Sequence, residues 1–543
     1  MIDKSGRSVP ETRRQPGFDE APGNTDPSGL REACGVFGIY GDPDASLTTY
    51  YGLYALQHRG QESAGIAAAG PEGLAVHVGM GLLGQAFENV APTSLHGTFA
   101  IGHVRYSTQG SSLPENAQPL AARYLGGYLA VCHNGNITNA LTLRYELEAQ
   151  GSIFRSTVDT EVVAHLIARA GTDDPVSAIR SALGRLEGAY SLLLLTPDGI
   201  VAARDPHGLR PLCLGQDGSR QAVASETCAL DLVGIPLVRE VRPGEIVRLG
   251  RDGFETLLPA LPPKGAHFAL GASAASNAGP AATAAAEPKD AGPEERLCLF
   301  ETVYLARPDS QLHGVAVHTM RRRAGEHLAG EAPAEADIAI GVPDSGLSAA
   351  MGYAERSGLP FEMGLMRNRY ASRTFIQPTD RLRGDSVRLK LSALASVVRG
   401  RRIAVVDDSI VRGTTSRRIV NLLREAGARE VHLRIASPPV RFPCHYGIDT
   451  GRPGELVAAR LDPVALAREI GCDSLAFLSL EGLLAAGGGQ PGPAYGYCDG
   501  CFSGRYPTPV APTQDKFGIE NELAPGGRSS PRGPADPKEV LRS

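Results

Sequence analysis

The chain has 543 residues, a formal net charge of −5 and a pI near 6.3, and 42% of its residues are hydrophobic. This length is enough for two or three domains with sizeable cores, and the slightly acidic balance gives no overall positive field that would collect the phosphates of a nucleic acid. No signal-peptide-like stretch and no apolar run of membrane length occurs, so we expect a cytoplasmic protein with neither a membrane nor a nucleic-acid partner.

A cysteine stands at the expected start of the folded chain. Residues 1–33 are polar, with scattered Pro and Gly, and predict a disordered leader. Cys34 then begins a β-prone run rich in Gly. If the leader is removed, the freed α-amine of Cys34, whose pKa lies not far above neutrality, can act as the general base for the thiol. Self-cleavage after Ala33 with help from Glu32 is a further hypothesis.

Short polar clusters at the ends of strand-like runs supply the next candidates, because strand-end loops often carry chemistry. They span residues 56–65, 102–108 and 132–137. Asn134 and Gly135 offer a side-chain amide and an unobstructed backbone N–H, the donors that a developing oxyanion needs. Arg59 or Arg105 can clamp a carboxylate, and Asp159 can hold an ammonium. A thiol among these groups predicts glutamine as substrate and glutamate plus ammonia as products.

Each of these motifs also has a purely structural explanation. A buried Cys is usually inert, an Asn-Gly pair usually forms a hairpin turn, and a lone Arg is usually solvated. Their joint occurrence favours function, and from Cys34 to about residue 260 the chain resembles the class II, N-terminal-nucleophile glutamine amidotransferases. The resemblance implies an α+β N-terminal-nucleophile (Ntn) glutaminase domain, an αββα sandwich, over residues 34–261.

The same resemblance assigns roles to single residues. It implies that Cys34 is the nucleophile and that Asn134 and Gly135 form the oxyanion hole. It also implies that glutamine is bound by Arg105 and Asp159, with Arg59 in support.

Two further low-complexity stretches divide the chain. Residues 262–295 are rich in Ala, Gly and Pro and predict an insertion between domains, and residues 511–543 predict a disordered tail. Between them, residues 337–342 and 402–406 are short apolar runs typical of buried parallel strands. Apolar residues at helical spacing from Ile419 onward predict a helix after the second strand.

The turn between this second strand and the helix has the composition of an anion site. A strand, a turn rich in Gly and Thr and then a helix direct backbone N–H groups and the positive helix end at a phosphate. Asp407 and Asp408 in this turn suit ribose hydroxyls, with or without Mg²⁺. Alone, such a pair is more often an acidic strand end that caps a helix. Neither a P-loop nor a dinucleotide-binding Gly pattern is present.

The whole turn resembles the 5-phosphoribosyl-1-pyrophosphate (PRPP) motif of type I phosphoribosyltransferases and implies such an α/β domain over residues 296–510. PRPP contacts are thereby implied for Asp407, Asp408, Ser409, Arg412, Gly413, Thr414 and Thr415. Ser345 lies in a segment that resembles the family's pyrophosphate and metal loop, which implies Mg²⁺ at Ser345, Asp407 and Asp408.

Residues 367–390 contain many Arg and Lys side chains. On charge alone, such a stretch is most often a solvated surface. This stretch resembles the flexible PRPP loop of the same family, with Arg367 and Lys390 as expected pyrophosphate contacts. A lid of this kind would exclude water from the ribosyl transition state.

The two halves together, over about residues 32–510, resemble the glutamine-dependent PRPP amidotransferases. This resemblance implies that ammonia passes through an internal channel to ribose C1, displaces pyrophosphate and gives 5-phosphoribosylamine, the committed step of purine synthesis. It further implies one Mg²⁺ per subunit, feedback inhibition by purine nucleotides of the AMP and GMP type, and a homo-oligomer, expected to be a tetramer. Tyr106 is expected to signal between the sites.

The nine cysteines predict catalysis or metal binding, because cytoplasmic thiols stay reduced. Cys498 and Cys501 alone fit zinc, redox chemistry or no function. Together with Cys298 and Cys444 they match the thiolates of the cluster-bearing branch of the family, which implies one [4Fe–4S] cluster per subunit. Zinc in the same four thiolates is the alternative.

Other classes of function fit the sequence less well. A PRPP-sensing transcription regulator would need a DNA-binding helix pair and a basic surface, and it would not need Cys34. A class II amidotransferase that makes glucosamine phosphate or asparagine would share only the first half. The intact motifs argue against a degenerate, inactive copy.

Overall fold

The computed structural model describes residues 34–107, 110–172, 174–259, 295–368, 391–450, 453–487, 496–509 and 520. The expected leader, nearly all of the expected insertion and all of the expected tail except Glu520 lie outside the described residues. The domain boundaries therefore stay predictions.

The first half contains two antiparallel sheets. The first sheet consists of β1 (Gly35–Tyr40), β2 (Ser63–Gly70), β3 (Gly73–Met80), β4 (Phe99–Arg105), β9 (Cys213–Asp217), β10 (Arg220–Ala224) and β11 (Leu237–Glu240). The second consists of β5 (Leu120–Tyr124), β6 (Gly127–Ile137), β7 (Gly188–Thr196), β8 (Gly199–Arg204), β12 (Ile246–Gly250) and β13 (Gly253–Leu258). Their strand orders are β11-β9-β10-β1-β4-β2-β3 and β13-β12-β8-β7-β6-β5.

The two sheets stack on a shared apolar layer to which Val36 and Ile101 contribute from the first sheet and Leu193 from the second. Helices cover the outer face of each sheet. They are α1 (Ala45–Ala55), α2 (Leu83–Ala86) and α6 (Thr227–Leu232) on the first sheet, and α3 (Ala140–Ala149), α4 (Glu161–Ala168) and α5 (Pro175–Leu183) on the second. Strand β7 has apolar neighbours on both faces, which is why Leu192–Leu195 form a continuous apolar run. The expected αββα sandwich is confirmed.

The second half is built on a parallel sheet of β17 (Ile338–Gly341), β20 (Arg402–Asp407), β21 (Glu430–Ile435) and β22 (Ser474–Phe477), in this spatial order. Helices α7 (Val317–Glu331) and α8 (Leu347–Ser357) pack on one face, and α10 (Thr414–Glu425) and α12 (Pro463–Ile470) pack on the other. Alternate residues of β20 face the two layers. This α/β arrangement confirms the expected class, and it puts Asp407 and Asp408 at the carboxyl end of β20, where open α/β sheets bind ligands.

Shorter elements complete the described chain. They are β14 (Arg296–Cys298), β15 (Gln311–Leu312), β16 (Val315–Ala316), β18 (Leu365–Arg367), β19 (Leu391–Ala393), β23 (Gly496–Cys498), α9 (Ala395–Val398), α11 (Val457–Arg460), α13 (Leu480–Ala486) and α14 (Gly500–Ser503). There are also 3₁₀ turns at Pro92–Ser94, Pro114–Asn116 and Pro453–Glu455, and a π-helical turn at Glu301–Leu305.

Strand β14 joins the two halves of the molecule. It pairs in parallel with β23. Its backbone N–H groups at Arg296 and Cys298 donate to the carbonyls of His207 and Leu209 in the first half, at 2.7 and 3.1 Å. The sandwich and the parallel domain are therefore connected by main-chain hydrogen bonds.

Within the described part of the chain, none of the helices combines the length and the apolar character that crossing a bilayer requires.

Candidate active sites

The thiol of Cys34 lies in the interior at the start of β1. The residue is 5% exposed, and its Sγ donates a hydrogen bond to the carbonyl oxygen of Tyr106 at 3.2 Å. Burial raises the pKa of the thiol to about 11, although the nearby Arg105 opposes the shift. With residue 33 attached, the thiol is therefore protonated at neutral pH, and a base must remove its proton before it can attack.

Asn134 and Gly135 lie near the end of β6 and are tied to the strand of Cys34 through Ser225. The Ser225 hydroxyl oxygen accepts a hydrogen bond from the Val36 N–H at 3.0 Å and lies 3.5 Å from Asn134 Nδ2. Among the described residues, Oδ1 of the fully buried Asn134 has no hydrogen-bond partner. Gly135 has φ of 150°, and a Cβ there would lie 2.1 Å from the Ala189 carbonyl oxygen, so only glycine fits.

Arg105 places a buried positive charge near the thiol. It ends β4, is 2% exposed and acts electrostatically on Cys34. Its Nη1 and Nη2 donate to the carbonyls of Ser111 and Gly110 at 3.3 and 3.5 Å. Its Nη1 also lies 3.7 Å from the Glu62 carboxylate, so the guanidinium already takes part in an ion pair, which a substrate carboxylate would join or replace.

Asp159 places a buried negative charge near the same thiol. It accepts the backbone N–H of Ile137 at 2.8 Å. Burial would raise the pKa of this carboxyl, but the adjacent His133 and the Ile137 N–H hold it below its usual value. A guanidinium and an ionised carboxylate near one thiol match the two charged ends of an amino acid. The structure thus brings together Cys34, Asn134, Gly135, Arg105 and Asp159.

Arg59 lies against the main chain of the nucleophile. Its Nε donates to the Cys34 carbonyl at 3.0 Å, while Nη1 and Nη2 pair with Glu226 and Glu301 at 2.6 and 2.7 Å. Only 1% of the residue is exposed. Buried carboxylates and the Cys34 backbone occupy its guanidinium, which suits the expected supporting role, and a direct contact of Arg59 with glutamine stays a prediction.

Sequence reasoning missed the partners of Arg59. Glu301 belongs to the second half and also accepts a hydrogen bond from the fully buried Arg210 at 3.0 Å. Burial would raise the pKa of Glu226, but His58 and Arg59 hold it well below the usual value. A charged residue directly after the apolar run 297–300 was the available signal for Glu301. No comparable signal marks Glu226.

Glu520 is a second functional candidate that the sequence did not reveal. Its Oε1 and Oε2 accept hydrogen bonds from the Ser111 N–H and hydroxyl, both at 2.6 Å, and Oε1 also accepts from Thr157 at 2.7 Å. Burial would raise the pKa of Glu520, but these hydrogen bonds and the charge of Arg105 lower it. A carboxylate of the chain itself therefore lies near the guanidinium predicted to hold the glutamine carboxylate.

The PRPP motif folds as the sequence predicts, with a turn between β20 and α10. Gly413 has φ of 75° and immediately precedes α10, whose first residues are Thr414 and Thr415. In the described residues, the buried Oγ1 of Thr415 has no hydrogen-bond partner. The left-handed Gly413, the unpartnered Thr415 hydroxyl and the N-terminus of the twelve-residue helix α10 together suit the binding of a phosphate.

Ser345 and Ser409 both donate to the Asp408 carboxylate, so the residues predicted for Mg²⁺ lie together. Arg412 instead pairs with Glu455 at 2.7 Å. Arg367 pairs with Asp344 at 2.7 Å on the exposed rim. Lys390 lies outside the described residues, as does most of the predicted PRPP loop.

A cavity of about 460 Å³ opens at this motif and is bounded by both halves of the chain. From the second half it is lined by the PRPP motif, Arg321 and Arg367. From the first half it is lined by Gln57, His58 and Gln61, close in sequence to Arg59. The cavity thus lies between the two halves. Arg59, the neighbour of its lining residue His58, links it to the Cys34 backbone, but among the described residues none of the glutaminase candidates lines it.

The four cysteines predicted to bind a cluster lie near one another. Cys298 pairs in register with Cys498 across β14 and β23, and Cys444 and Cys501 interact electrostatically with both. Burial raises the pKa of Cys298 to about 12, while the Arg210 charge opposes the shift. Among the described residues, no three His, Cys, Asp or Glu side chains are grouped closely enough to hold a single metal ion.

Comparisons with known proteins agree with both halves. A family model described as a glutamine amidotransferase domain matches residues 103–232. An amidophosphoribosyltransferase of Bacillus subtilis (strain 168) is 48% identical over 484 residues, which cover 89% of this chain and 95% of that protein.

Two solved structures are similar over nearly the same span. The glutamine PRPP amidotransferase from B. subtilis, complexed with ADP and GMP, is 46% identical with a TM-score of 0.78, covering 89% of this chain and 99% of its own. A structure described as the allosteric regulatory enzyme of purine biosynthesis is 46% identical with a TM-score of 0.79, covering 88% and 97%.

Proposed function

Because this chain belongs to the amidophosphoribosyltransferase family, which forms 5-phosphoribosylamine from glutamine and PRPP in purine biosynthesis, we propose that Cys34 performs the glutaminase step and the β20–α10 turn binds PRPP. The main supporting observation is that residues of both halves line the cavity at the β20–α10 turn, including His58, whose neighbour Arg59 donates to the Cys34 carbonyl. We propose that ammonia formed at Cys34 passes through the interior to this cavity, where PRPP binds.

In the first half, we assign nucleophilic attack to Cys34. Once the chain begins at Cys34, its α-amine takes the thiol proton, and Sγ attacks the side-chain amide carbon of glutamine. Asn134 Nδ2 and the Gly135 N–H stabilise the oxyanion of the tetrahedral intermediate. Collapse returns the proton to the leaving ammonia and leaves a thioester, which water hydrolyses to glutamate and free Cys34. The burial of Asn134, whose Nδ2 lies 3.5 Å from the Ser225 hydroxyl, and the positive φ of Gly135 support this assignment.

In the second half, we assign the 5-phosphate of PRPP to the N-terminus of α10, with Gly413, Thr414 and Thr415. Asp407 and Asp408 bind the ribose hydroxyls. Ammonia attacks ribose C1 with its lone pair as the C1–pyrophosphate bond breaks, and the nitrogen then loses a proton. We also propose Arg367 as a pyrophosphate contact. In the present conformation, Arg367 pairs with the exposed Asp344 instead. Lys390 stays a prediction.

The donor set at this turn fits Mg²⁺, which prefers carboxylate and hydroxyl oxygens. Ser345, Asp407 and Asp408 would hold it, and it would supply charge neutralisation for the pyrophosphate. The hydrogen bond of Ser345 to Asp408 supports a shared ligand site.

For the four thiols we propose a [4Fe–4S] cluster, with zinc in the same thiolates as the alternative. The resemblance to the cluster-bearing branch and the nearness of the four thiols to one another support a shared site. Such a cluster would hold β14, the Cys444 segment and the C-terminal segment together.

We propose a cytoplasmic homo-oligomer, a tetramer by resemblance, inhibited by AMP- and GMP-type nucleotides. The binding of ADP and GMP to the B. subtilis relative supports nucleotide control.

The test is an assay of glutamate and pyrophosphate release by anaerobically purified protein, with intact mass recorded. We expect the chain to begin at Cys34. We also expect it to release glutamate and pyrophosphate in equal amounts, and only when Mg-PRPP is present. Glutamate release that ignores PRPP would contradict coupling, and an active protein that keeps residue 33 would contradict the role of the α-amine.

A further inference from the structure

We propose that the segment His445–Gly447 of the phosphoribosyl half is a positioning element for the oxyanion hole of the glutaminase half. The glutaminase site is complete only when this segment is docked against β6. The inference rests on the proposed oxyanion role of Asn134 and Gly135.

Gly447 touches the main chain of Gly135 directly. A Cβ at Gly447 would lie 2.8 Å from both the carbonyl carbon and the carbonyl oxygen of Gly135, closer than real Cβ atoms approach. Gly447 also has φ of 98°, in the left-handed region. Both facts restrict this position to glycine, so backbone packs on backbone across the two halves.

The residues on the N-terminal side of Gly447 are fixed by hydrogen bonds from the glutaminase half. Asn136 Nδ2 donates to the His445 carbonyl at 2.8 Å. Arg210 Nε and Nη2 donate to the Tyr446 carbonyl at 3.0 and 2.8 Å. Three successive residues of the segment are therefore in contact with the glutaminase half.

This contact bears on catalysis because two other main-chain segments pack against Gly135. The Ala189 carbonyl oxygen of β7 would lie 2.1 Å from a Cβ at Gly135, and Gly447 packs against the Gly135 carbonyl group. The direction of the Gly135 N–H depends on the tilt of this backbone. Oxyanion donors act only when they are aimed at the position where the charge develops. Removal of the segment would leave Gly135 without one of these two backbone contacts.

The same Arg210 that holds Tyr446 also pairs with Glu301, which pairs with Arg59, whose Nε holds the Cys34 carbonyl. The segment is thus joined to the main chain of the nucleophile as well as to that of the oxyanion hole. Docking of the second half therefore positions both reacting groups of the first.

The test compares glutamine-dependent with ammonia-dependent formation of 5-phosphoribosylamine. Gly447→Ala should lower kcat with glutamine about tenfold or more and change KM little, because the oxyanion forms only in the transition state. With ammonium salt as nitrogen source, its rate should stay within about twofold of wild type. Asn136→Ala, which loses only one hydrogen bond, should change the glutamine rate in the same direction by about threefold.

Gly471→Ala is the matched control. Gly471 also has a left-handed φ, of 86°, but a Cβ there meets nothing within 4 Å. Gly471→Ala therefore introduces the backbone strain of an alanine at positive φ without a steric clash. Its glutamine-dependent and ammonia-dependent rates should both match wild type. Equal losses of the glutamine and ammonia rates in Gly447→Ala, or no loss in either, would overturn the inference.

Asn134→Ala separates this inference from the proposed function on which it rests. Loss of glutamine turnover in Asn134→Ala but not in Gly447→Ala would refute only the positioning role. Full glutamine turnover in Asn134→Ala would refute the proposed oxyanion hole and the inference with it.

Discussion

Arg59 and Glu301, 242 residues apart, form a fully buried two-point ion pair between the halves, with Nη1–Oε2 and Nη2–Oε1 distances of 3.0 and 2.7 Å. Burial would lower the pKa of Arg59, but Glu301 and Glu226 raise it, so the guanidinium remains charged. The charge network is therefore a structural joint between the glutaminase half and the phosphoribosyl half.

The first prediction concerns this joint. Glu301→Gln keeps the shape but removes the charge that compensates Arg59 and Arg210, so we expect a loss of about 3 kcal/mol in the free energy of unfolding, measured by urea titration. Glu326→Gln is the control, because Glu326 pairs with Arg322 at 3.8 Å on the surface with both side chains 42% exposed. It should cost less than about 1 kcal/mol. Equal losses in the two variants would contradict a buried joint.

The second prediction concerns the pH dependence of Cys34. A raised thiol pKa means that the thiolate fraction grows as pH rises towards that value. In protein that retains Ala33, alkylation of Cys34 by iodoacetamide should therefore increase up to about pH 11. In protein that begins at Cys34, reactivity should already rise near pH 8, as the α-amine loses its proton. Peptide mass mapping distinguishes Cys34 from the other thiols, and identical profiles for the two forms would refute a role for the amine.

The third prediction concerns Asp408. Asp408→Asn removes the negative charge of the carboxylate that accepts hydrogen bonds from Ser345 and Ser409 and that would bind a ribose hydroxyl. We expect kcat/KM for PRPP to fall about 10- to 100-fold in the ammonia-dependent assay. The matched control is Asp337→Asn, since Asp337 lies just before β17 at the opposite strand end and pairs with Arg402. A similar loss in both variants would argue against a PRPP contact at Asp408.

The fourth prediction concerns the thiols. Anaerobically purified protein should contain about four iron atoms and four acid-labile sulfides per chain. Cys501→Ser should lower both, whereas Cys472→Ser, which lies outside the group of four, should not. One zinc ion per chain and no iron would favour the alternative metal.

The fifth prediction concerns Glu520. Its carboxylate lies close enough to Arg105 for the two charges to interact, so we expect it to compete with the carboxylate of glutamine. Glu520→Gln should lower KM for glutamine roughly threefold, with kcat unchanged. An increase in KM would show instead that Glu520 orders Ser111 and Thr157 for substrate binding. Asp217→Asn, at an exposed carboxylate that pairs with Arg220 at the end of β9, is the control.

Sequence patterns predicted the local features of this molecule well. The strand, turn and helix around Asp407 follow from local patterns of apolar residues, Gly and Thr. The αββα sandwich and the grouping of Cys34 with Arg105 and Asp159 were implied by the resemblance that the short motifs carry. The exception is Arg59. Its motif indicates a functional arginine, but its role depends on Glu226 and Glu301, and no period or spacing encodes a partner 242 residues away.

The contact of Gly447 with Gly135 was unpredictable for the same reason. A glycine in a turn is explained locally by its positive φ, and nothing in the surrounding residues reveals that another main chain packs against it. Likewise, Glu520 belongs to a stretch whose composition predicts disorder, so its hydrogen bonds with Ser111 are visible only in three dimensions.

The pairing of β14 with β23 has a genetic consequence. These strands open and close the phosphoribosyl half, and β14 also bonds through its main chain to His207 and Leu209 of the sandwich. A premature stop codon before residue 496 would delete β23, leaving β14 without its neighbour on one side and disturbing the other half through it. Nonsense alleles that end the chain shortly before residue 496 are therefore expected to behave as complete nulls, and not as shortened enzymes that keep glutaminase activity.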